Sequence, residues 1–378
     1  MKIVFVSNYY NHHQASLCRA LSGQVEDFYF IATSEMRRER RDMGYAMAQV
    51  PDFVRYAHRT PAEREVCLRL IEEADVLIAG AAPEELIAPR IRAGKLTFRY
   101  TERLFKQEPK PLEYLKKRIA QHLRNPKENA VYLLCASAYT AEDYARLGLF
   151  SGRAYRWGYF PEITYGKRMQ KRPGIVLWAG RLLDWKHPDD ALEAARQLIE
   201  EGYDLSLEIV GAGELAPVLE ERVRSFGLES RVKLTGVLDP SGVRARMEEA
   251  EIFLFTSDRQ EGWGAVLNEA MDAGCAVVAS HAAGSTGYLV EDGKNGLIYP
   301  AGDVAMLREK LRYLLDHPNE AAAMGAKARE TMESTWNADT AAERLCALAR
   351  QILAGEKAPD LYDNGPISKA PTRWDNKM

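Results

Sequence analysis

The sequence predicts an α/β protein built from two doubly wound lobes, each a parallel sheet covered by helices. The first observation is that short apolar runs alternate with segments of helical periodicity along most of the 378 residues. The second is a break near the middle, where residues 161–173 carry proline and several basic residues between two such series. The third is charge: residues 1–172 hold 29 Lys and Arg against 20 Asp and Glu, whereas the remainder holds 22 against 34. This asymmetry indicates two domains with different partners.

The first lobe is predicted to span residues 1–160. Strands are expected at the apolar runs 2–7, 28–33, 75–80, 95–102, 130–137 and 153–159. Helical periodicity fills several gaps between them, at 14–21, 61–71 and 138–147. Because strands separated by helices usually pair in parallel, this order favours an open parallel sheet.

The second lobe is predicted over residues 174–354, after a linker at 161–173. Its strands are expected at 174–180, 205–211, 232–236, 252–257 and 276–280, with later helices at 304–315, 320–333 and 338–353. The tail at 355–378 is rich in polar residues and proline, so we expect it to be poorly ordered or to lie across the first lobe. Open parallel sheets bind ligands at the carboxyl ends of their strands, which predicts that the lobes face each other across a ligand cleft.

Composition favours a cytoplasmic protein. Hydrophobic residues make up 46% of the chain, yet no stretch approaches the roughly 18 apolar residues of a membrane span, and no secretory segment opens the sequence. The five cysteines lie far apart and lack C-x-x-C spacing, which indicates core thiols with neither a disulfide framework nor a zinc site. They are Cys18, Cys67, Cys135, Cys275 and Cys346.

The strongest basic excess lies between Arg103 and Arg124, where seven basic residues stand against two acidic ones. Apolar residues interleave with them, as in an amphipathic basic helix. Such a helix can lie on an anionic membrane surface, and an ordinary solvated face explains the pattern equally well. A nucleic-acid partner is not expected, because the chain's pI of about 6.2 is low for a phosphate-binding protein and no recognition motif occurs.

A glycine-rich loop between a strand and a helix is the most informative motif. It follows the apolar run 252–255 and comprises Glu261, Gly262, Trp263, Gly264, Ala265, Val266 and, at the far end, Glu269. A helix N-terminus behind such a loop presents unpaired N–H groups and the positive end of the helix dipole to an anion. The two glutamates can then bind hydroxyl groups, although carboxylates at a helix start are also favourable without a ligand.

This pattern resembles the E-x7-E signature of retaining glycosyltransferases with the GT-B fold, family 4, also called glycosyl transferases group 1. The resemblance covers residues 174–354 well and residues 1–160 only by architecture. It implies that Glu261 holds the donor sugar, that Glu269 holds the ribose of the nucleotide, and that residues 262–266 contribute to the donor site. The expected donor is a nucleotide diphosphate sugar, with UDP as the nucleotide.

Two cations flank the loop between the first strand of the second lobe and the following helix. Arg181 comes directly after Gly180, and Lys186 precedes Pro188, which is a helix-start signal. The similar Gly-Arg and Lys element of the family implies that Arg181 and Lys186 bind the diphosphate and, with Glu261, act in catalysis. No Asp-x-Asp occurs, so we expect no required metal or cofactor, while two solvated loop cations are the alternative explanation.

The turn containing Gly211 and Gly213 also matches the Gly-x-Gly-x-x-Ala fingerprint of dinucleotide-binding proteins. This raises an NAD-dependent oxidoreductase as an alternative. The fingerprint normally opens a domain and needs an acidic residue at the end of the next strand, and both conditions fail here. We interpret the two glycines as permitting close backbone approach near the donor, and Val237, after the third strand, as a contact to the nucleobase by resemblance to the family.

The first lobe departs from the family pattern, because paired glycines after the first strand are absent. Asn11, His12 and His13 stand there instead and are candidates for binding a phosphate or an acceptor hydroxyl, while a helix-capping role is equally compatible. Glu102 is a candidate for orienting the acceptor.

The resemblance implies a retaining glycosyltransferase that transfers a sugar to a saccharide or lipid-linked acceptor at the cytoplasmic face of a membrane. Bacterial capsule, exopolysaccharide or O-antigen assembly is the process that the resemblance implies. A UDP-sugar epimerase of the GT-B fold and a non-catalytic nucleotide-sugar sensor remain further alternatives.

Overall fold

The computed structural model describes residues 1–38, 41, 47, 49–127, 130–165 and 170–373. The chain divides into two compact units. The first combines Met1–Glu162 with Trp336–Lys377, and the second is Ile163–Thr335. Residues 166–169 of the predicted linker and 374–378 of the predicted tail lie outside the described residues.

The first unit is built on a seven-stranded parallel sheet in the order β3-β2-β1-β4-β5-β6-β7. The strands are β1 (Lys2–Ser7), β2 (Asp27–Ala32), β3 (Val54–Tyr56), β4 (Val76–Ala79), β5 (Thr97–Thr101), β6 (Val131–Cys135) and β7 (Ala154–Arg156). All four residues of β4 and all five of β6 are buried, as expected for strands covered on both faces. The three-residue strand β3 was not predicted, because so short a run carries little periodicity.

Helices connect these strands: α1 (His12–Gln24), α2 (Pro61–Glu73), α3 (Glu84–Arg92), α4 (Pro111–Arg124) and α5 (Thr140–Arg146). Helix α2 begins at a proline and is capped by Thr60, whose hydroxyl accepts a hydrogen bond from the Glu63 N–H at 3.1 Å. Helix α4 likewise begins at Pro111, so the helical part of the basic segment is shorter than the full run from Arg103.

The second unit holds a six-stranded parallel sheet in the order β10-β9-β8-β11-β12-β13. Its strands are β8 (Arg172–Ala179), β9 (Ser206–Val210), β10 (Val232–Gly236), β11 (Ala250–Phe255), β12 (Ala276–Ser280) and β13 (Leu297–Tyr299). The helices are α6 (Pro188–Glu200), α7 (Ala216–Ser225), α8 (Pro240–Glu249), α9 (Ala265–Asp272), α10 (Thr286–Leu289), α11 (Val304–Asp316) and α12 (Pro318–Ser334). The predicted α/β class, with two parallel doubly wound sheets, is confirmed. Strands β8 and β11 are neighbours, which brings the loops that follow them together.

The last helix, α13 (Ala338–Leu353), differs from the predicted domain division. It packs against α1 and belongs to the first unit, although the sequence analysis ended the second lobe at residue 354. Periodicity identifies a helix but not the surface on which it packs. Residues 367–370 also lie along β7, where the Ala370 N–H donates to the Ala154 carbonyl at 3.0 Å and the Arg156 N–H donates to the Ser368 carbonyl at 2.8 Å.

Each unit has its own apolar core, and all five cysteines are buried as free thiols. In the first unit Arg90 is 3% exposed, and its guanidinium donates to several backbone carbonyls, including those of Ile71 and Ala74 at 2.9 and 2.7 Å. These carbonyls satisfy a buried charge that would otherwise be unfavourable. Among the described residues, no helix has both the length and the apolar character that a membrane crossing requires.

Candidate functional site

At Gly264, the last position of the loop after β11, both the backbone conformation and the available space require glycine. Gly264 has φ of +87°, and a Cβ built there would lie 2.3 Å from Cζ of Phe255. Glycine therefore allows the chain to turn tightly into α9 against the preceding strand. The first N–H groups of α9 follow this turn and have no carbonyl partner within the helix.

Glu261 lies in this loop and is held in one orientation. Its side chain is nearly buried, and Oε2 accepts hydrogen bonds from Nζ of Lys186 at 2.5 Å and from the Ser257 hydroxyl at 3.1 Å. No described residue donates a hydrogen bond to its other oxygen, Oε1. One oxygen thus orients the carboxylate, and the second has acceptor capacity for a ligand hydroxyl.

Lys186 lies next to Glu261 because Thr256 connects the loops after β8 and β11 by hydrogen bonds. The Thr256 hydroxyl accepts a hydrogen bond from the Trp178 indole N–H at 2.8 Å and donates to the Lys186 carbonyl at 2.7 Å. The Asp258 N–H also donates to the Trp185 carbonyl at 2.9 Å. The ends of β8 and β11 are therefore joined by buried polar groups, which fix the backbone that carries Lys186. Sequence reasoning missed Thr256 and Ser257, although polar residues at the end of an apolar strand were a usable signal.

Arg181 lies two residues after the end of β8 and is partly buried. Its side chain forms no hydrogen bond or ion pair with any described residue. A guanidinium without a carboxylate partner, on a loop beside Lys186, is suited to binding an anionic group such as a phosphate. The structure thus places two cations on the loop between β8 and α6, as the sequence predicted.

The glycines of the β9 turn approach the chain's own backbone. A Cβ on Gly211 would lie 1.8 Å from the Gly180 carbonyl oxygen, and one on Gly213 would lie 2.2 Å from the carbonyl oxygen of Leu182. The Gly180 N–H donates to the Val210 carbonyl at 3.0 Å, and the Gly211 N–H donates to the Gly236 carbonyl at 2.8 Å. Both glycines serve the packing of adjacent strand ends, so their presence does not indicate a dinucleotide phosphate site. Val237, just after β10, is 62% exposed and lies at the same carboxyl edge of the sheet.

Glu269, within α9, carries a desolvated carboxylate that no described residue bonds. Burial raises the pKa of the Glu269 carboxyl to about 7; the Arg244 guanidinium opposes this shift and Asp272 adds to it. Arg244 itself is committed to Asp272, with Nη1 at 2.5 Å from Oδ2. Glu269 is therefore a desolvated acceptor that has no side-chain hydrogen-bond donor among the described residues, and hydroxyl groups of a ligand can supply one.

Trp263 lies between the two glutamates and is a structural residue. Its side chain is fully buried, and its indole N–H donates to the Asn268 Oδ1 at 2.8 Å. Its carbonyl accepts a hydrogen bond from the Ser285 N–H at 3.1 Å, which fastens the loop to residues 284–286. The Trp263 side chain is consequently no direct ligand contact, and Gly262, Ala265 and Val266 offer mainly backbone.

One cluster in the second unit has donor atoms suitable for a metal. Ligand atoms of His187, Asp189 and Asp190 lie within 4.8 Å of one another at the start of α6. His187 also approaches Asp258, with Nε2 3.6 Å from Oδ2. Carboxylates at a helix N-terminus are favourable by themselves, because they offset the helix dipole, so the cluster does not require an ion.

In the first unit, the candidates Asn11, His12, His13 and Glu102 gather at the carboxyl edge of the sheet. Asn11 caps α1, where its Oδ1 accepts a hydrogen bond from the His13 N–H at 2.9 Å. The His12 and His13 rings lie 3.9 Å apart, and the His13 ring lies 6.2 Å from that of Tyr159. The Tyr159 hydroxyl in turn donates to Oε1 of Glu102 at 2.8 Å. Tyr159, which the sequence analysis did not single out, links the histidines to Glu102.

The known proteins that this chain resembles are glycosyltransferases. Residues 162–331 match the family described as Glycosyl transferases group 1. The chain is 29% identical over 184 residues to the alpha-D-kanosaminyltransferase of Streptomyces kanamyceticus, which covers 49% of the chain and 47% of that protein. It is 30% identical over 187 residues to the putative colanic acid biosynthesis glycosyltransferase WcaL of Escherichia coli (strain K12), covering 48% of the chain and 46% of that protein. The chain thus spans about half the length of the curated relatives that it matches.

Solved structures extend the likeness to almost the whole chain. The crystal structure of Anabaena HepE in complex with UDP superimposes with a TM-score of 0.67 at 17% identity, covering 93% of this chain and all of that one. At this identity the likeness establishes the fold, which is GT-B. Residues 162–331, the segment that holds Arg181, Lys186, Glu261 and Glu269, are therefore similar to the glycosyl transferases group 1 family.

Proposed function

We propose that this protein is a retaining glycosyltransferase that transfers a sugar from a nucleotide diphosphate donor, a UDP-sugar, to a saccharide or lipid-linked acceptor. The observation that carries the proposal is the arrangement around Glu261, where one carboxylate oxygen is held by Lys186 and Ser257 and the other is open. Arg181 lies on the same loop as Lys186, and the desolvated Glu269 lies in helix α9. Together with Glu261, these residues offer cations for phosphate groups and acceptors for hydroxyl groups.

Each residue has one role in this proposal. Arg181 and Lys186 neutralise the diphosphate, Glu269 accepts hydrogen bonds from the ribose hydroxyls, and Oε1 of Glu261 accepts one from the sugar. The bond between the anomeric carbon and the phosphate oxygen breaks, and the acceptor oxygen forms its bond to that carbon on the same face. The acceptor proton passes to the departing diphosphate. Positive side chains favour this step because negative charge develops on the leaving group.

UDP is proposed because solved structures with this fold were obtained with that nucleotide. HepE has been crystallised with UDP and with UDP-glucose, and the pneumococcal GtfA with UDP and GlcNAc. The matched relatives include proteins named for biosynthesis of colanic acid and of amylovoran. These names support a role in bacterial surface polysaccharide assembly.

The donor groups suffice without a metal in this proposal, because Arg181 and Lys186 supply the positive charge. The cluster of His187, Asp189 and Asp190 is then a solvated helix start. In the first unit, His12, His13 and Glu102 are proposed to bind the acceptor, with Tyr159 orienting Glu102.

A donor screen tests the activity. Purified protein is incubated with UDP-glucose, UDP-galactose, UDP-N-acetylglucosamine and GDP-mannose, with and without an extract of bacterial polysaccharide precursors, and released nucleotide is measured. Acceptor-dependent release of UDP is the expected result. Release of GDP alone would reject a UDP-sugar as the donor. Conversion of a UDP-sugar to its epimer without acceptor would indicate an epimerase, and oxidation of NADH added in a separate assay would indicate an oxidoreductase.

A further inference from the structure

Helix α4 turns its apolar face away from the protein. Its four large aliphatic residues are Leu112, Leu115, Ile119 and Leu123, which are 64, 49, 54 and 77% exposed. Because they are spaced three and four residues apart, they form one continuous stripe on the helix. A surface helix normally buries such a stripe in the core, so this arrangement is the reverse of the usual one.

The opposite, more polar side of α4 attaches the helix to the first unit. The Tyr114 hydroxyl donates to the Arg146 carbonyl at 2.6 Å, and Nε2 of His122 lies 2.8 Å from the Leu147 carbonyl oxygen. Gln121 is buried, and its Oε1 accepts a hydrogen bond at 3.1 Å from the side chain of Asn125, the C-cap of the helix, whose Oδ1 accepts one from Arg99 of β5 at 3.0 Å. These contacts fix the rotation of the helix, so the exposure of the stripe is determined by the fold.

Cations that have no acidic partner among the described residues lie beside the stripe or at the start of the helix. Lys110, Lys116 and Arg118 form no ion pair with any described residue. The two acidic residues of the segment are neutralised locally, Glu113 by Lys117 at 3.0 Å and Glu108 by Arg146. The face therefore combines aliphatic side chains with a net positive border.

We propose that the stripe of Leu112, Leu115, Ile119 and Leu123, bordered by Lys110, Lys116 and Arg118, is a docking face for an anionic lipid membrane. An interfacial helix of this kind lies in the membrane plane, with aliphatic side chains at the acyl boundary and cations at the head groups. A second copy of the chain fits poorly, because a two-fold interface would place these cations against their own equivalents. Protein interfaces also favour aromatic anchors, which the stripe lacks. Membrane binding of this face is independent of the proposed transfer activity.

The first test places a fluorescent probe on the stripe. Ile119→Cys is labelled with an environment-sensitive fluorophore, which should react selectively because all five native cysteines are buried. Val218→Cys, at a 50% exposed position of α7 in the second unit, is the matched control. With vesicles of phosphatidylcholine and phosphatidylglycerol, emission from position 119 should shift to the blue, and emission from position 218 should not. Equal behaviour of the two labels would overturn the proposal.

The second test removes the apolar and basic parts separately. Leu115→Ser/Ile119→Ser and Lys116→Ser/Arg118→Ser should each weaken cosedimentation with these vesicles about tenfold or more. Val218→Ser/Leu353→Ser, in which both native residues are 50% exposed, should pellet like the wild type. Circular dichroism verifies folding, which these exposed positions should not affect.

The salt dependence of vesicle binding and the self-association of the protein complete the test. Binding should fall with added salt and be weak on pure phosphatidylcholine, because surface electrostatics are screened within a Debye length. The proposal is overturned if the wild type stays in the supernatant at low salt, or if the face variants pellet unchanged. It is also overturned if sedimentation equilibrium shows a dimer that Leu115→Ser/Ile119→Ser dissociates. Nucleotide release from a soluble acceptor should be unchanged in all face variants, which separates this test from that of the activity.

Discussion

Nζ of Lys186 lies 2.5 Å from Oε2 of Glu261, although 75 positions separate the two residues in the sequence. The residue proposed to bind the diphosphate and the residue proposed to bind the sugar therefore form one ion pair. Both side chains are nearly buried, at 12 and 11% exposure, so neither charge is well solvated by water alone. Each residue has a structural role as well as a proposed chemical one, and the two can be separated by mutation.

Replacing Lys186 alone should destabilise the protein. Lys186→Met leaves the Glu261 carboxylate buried with only Ser257 as partner, and breaking such a pair costs about 3–5 kcal/mol in buried examples. Lys186→Met/Glu261→Gln should regain most of this loss, because no charge is left unpaired. Chemical denaturation measures the cycle. Turnover should remain low in both variants, and a double variant with restored stability and normal turnover would exclude the pair from catalysis.

Glu269 should make stability depend on pH in a defined direction. Its folded-state pKa of about 7 lies above the ordinary value of 4.5, so the folded state binds the proton more tightly than the unfolded state. The resulting stabilisation is complete below pH 4.5 and is lost as the pH rises through 7. Glu269→Gln should therefore gain up to about 3 kcal/mol relative to the wild type between pH 4.5 and 8. Thermal unfolding across this range tests it, and a constant difference between the two proteins would contradict the desolvated carboxylate.

The Glu269 carboxylate should also make the affinity for UDP depend on pH. Hydrogen bonds from ribose hydroxyls favour the ionised form, so UDP should bind more tightly as the pH rises from 6 to 8 and should release protons near pH 6.5. Glu269→Gln should weaken UDP binding by about 1.5–3 kcal/mol at pH 8 and lose the pH dependence. Glu261→Gln should leave UDP affinity nearly unchanged, since its proposed contact is to the sugar. Calorimetry in two buffers of different ionisation enthalpy measures both quantities.

Arg181 should affect turnover with little effect on stability. Its side chain forms no hydrogen bond or ion pair with the described residues, so Arg181→Ala removes neither kind of interaction within the described part of the chain. Turnover should fall about 10²-fold to 10³-fold, because the leaving diphosphate loses a positive donor. Activity should persist in EDTA and in Asp189→Asn/Asp190→Asn. If chelation abolished turnover and the double variant did the same, the cluster at the start of α6 would be a metal site.

Gly211→Ala should be strongly destabilising for a reason unrelated to ligands. The new Cβ would lie 1.8 Å from the Gly180 carbonyl oxygen, in addition to the strained φ of +139°. The matched control is Gly227→Ala, where φ is +66° and nothing lies within 4 Å of the new Cβ. The control should lose about 1–2 kcal/mol from backbone strain alone, and Gly211→Ala should lose more. Equal losses in thermal unfolding would show that the close approach between these turns is relaxed in solution.

Local features of the sequence were sufficient for the fold class and for the main motif. Apolar runs and helical periodicity report burial and backbone hydrogen bonding within a segment, which is why seventeen of the elements could be placed approximately from residue order alone. The glycines of the loop between Glu261 and Glu269 likewise report a backbone requirement, because Gly264 has a positive φ and contacts Phe255. The Gly211 turn shows the limit, since the same spacing fits both a dinucleotide site and contact between strand ends.

The sequence by itself determined the alternation of strands and helices, the position of the Glu261 motif and the location of Arg181 and Lys186 on a strand-to-helix loop. The tertiary structure decided that β8 and β11 are neighbours, so that Lys186 meets Glu261, and that the Glu269 carboxylate is desolvated with no donor in the part of the chain that the structure describes. It also decided that α13 packs on α1 and that the aliphatic face of α4 points outward. The physical reason is that periodicity identifies the faces of an element, whereas the surface that each face meets depends on contacts between residues distant in the chain.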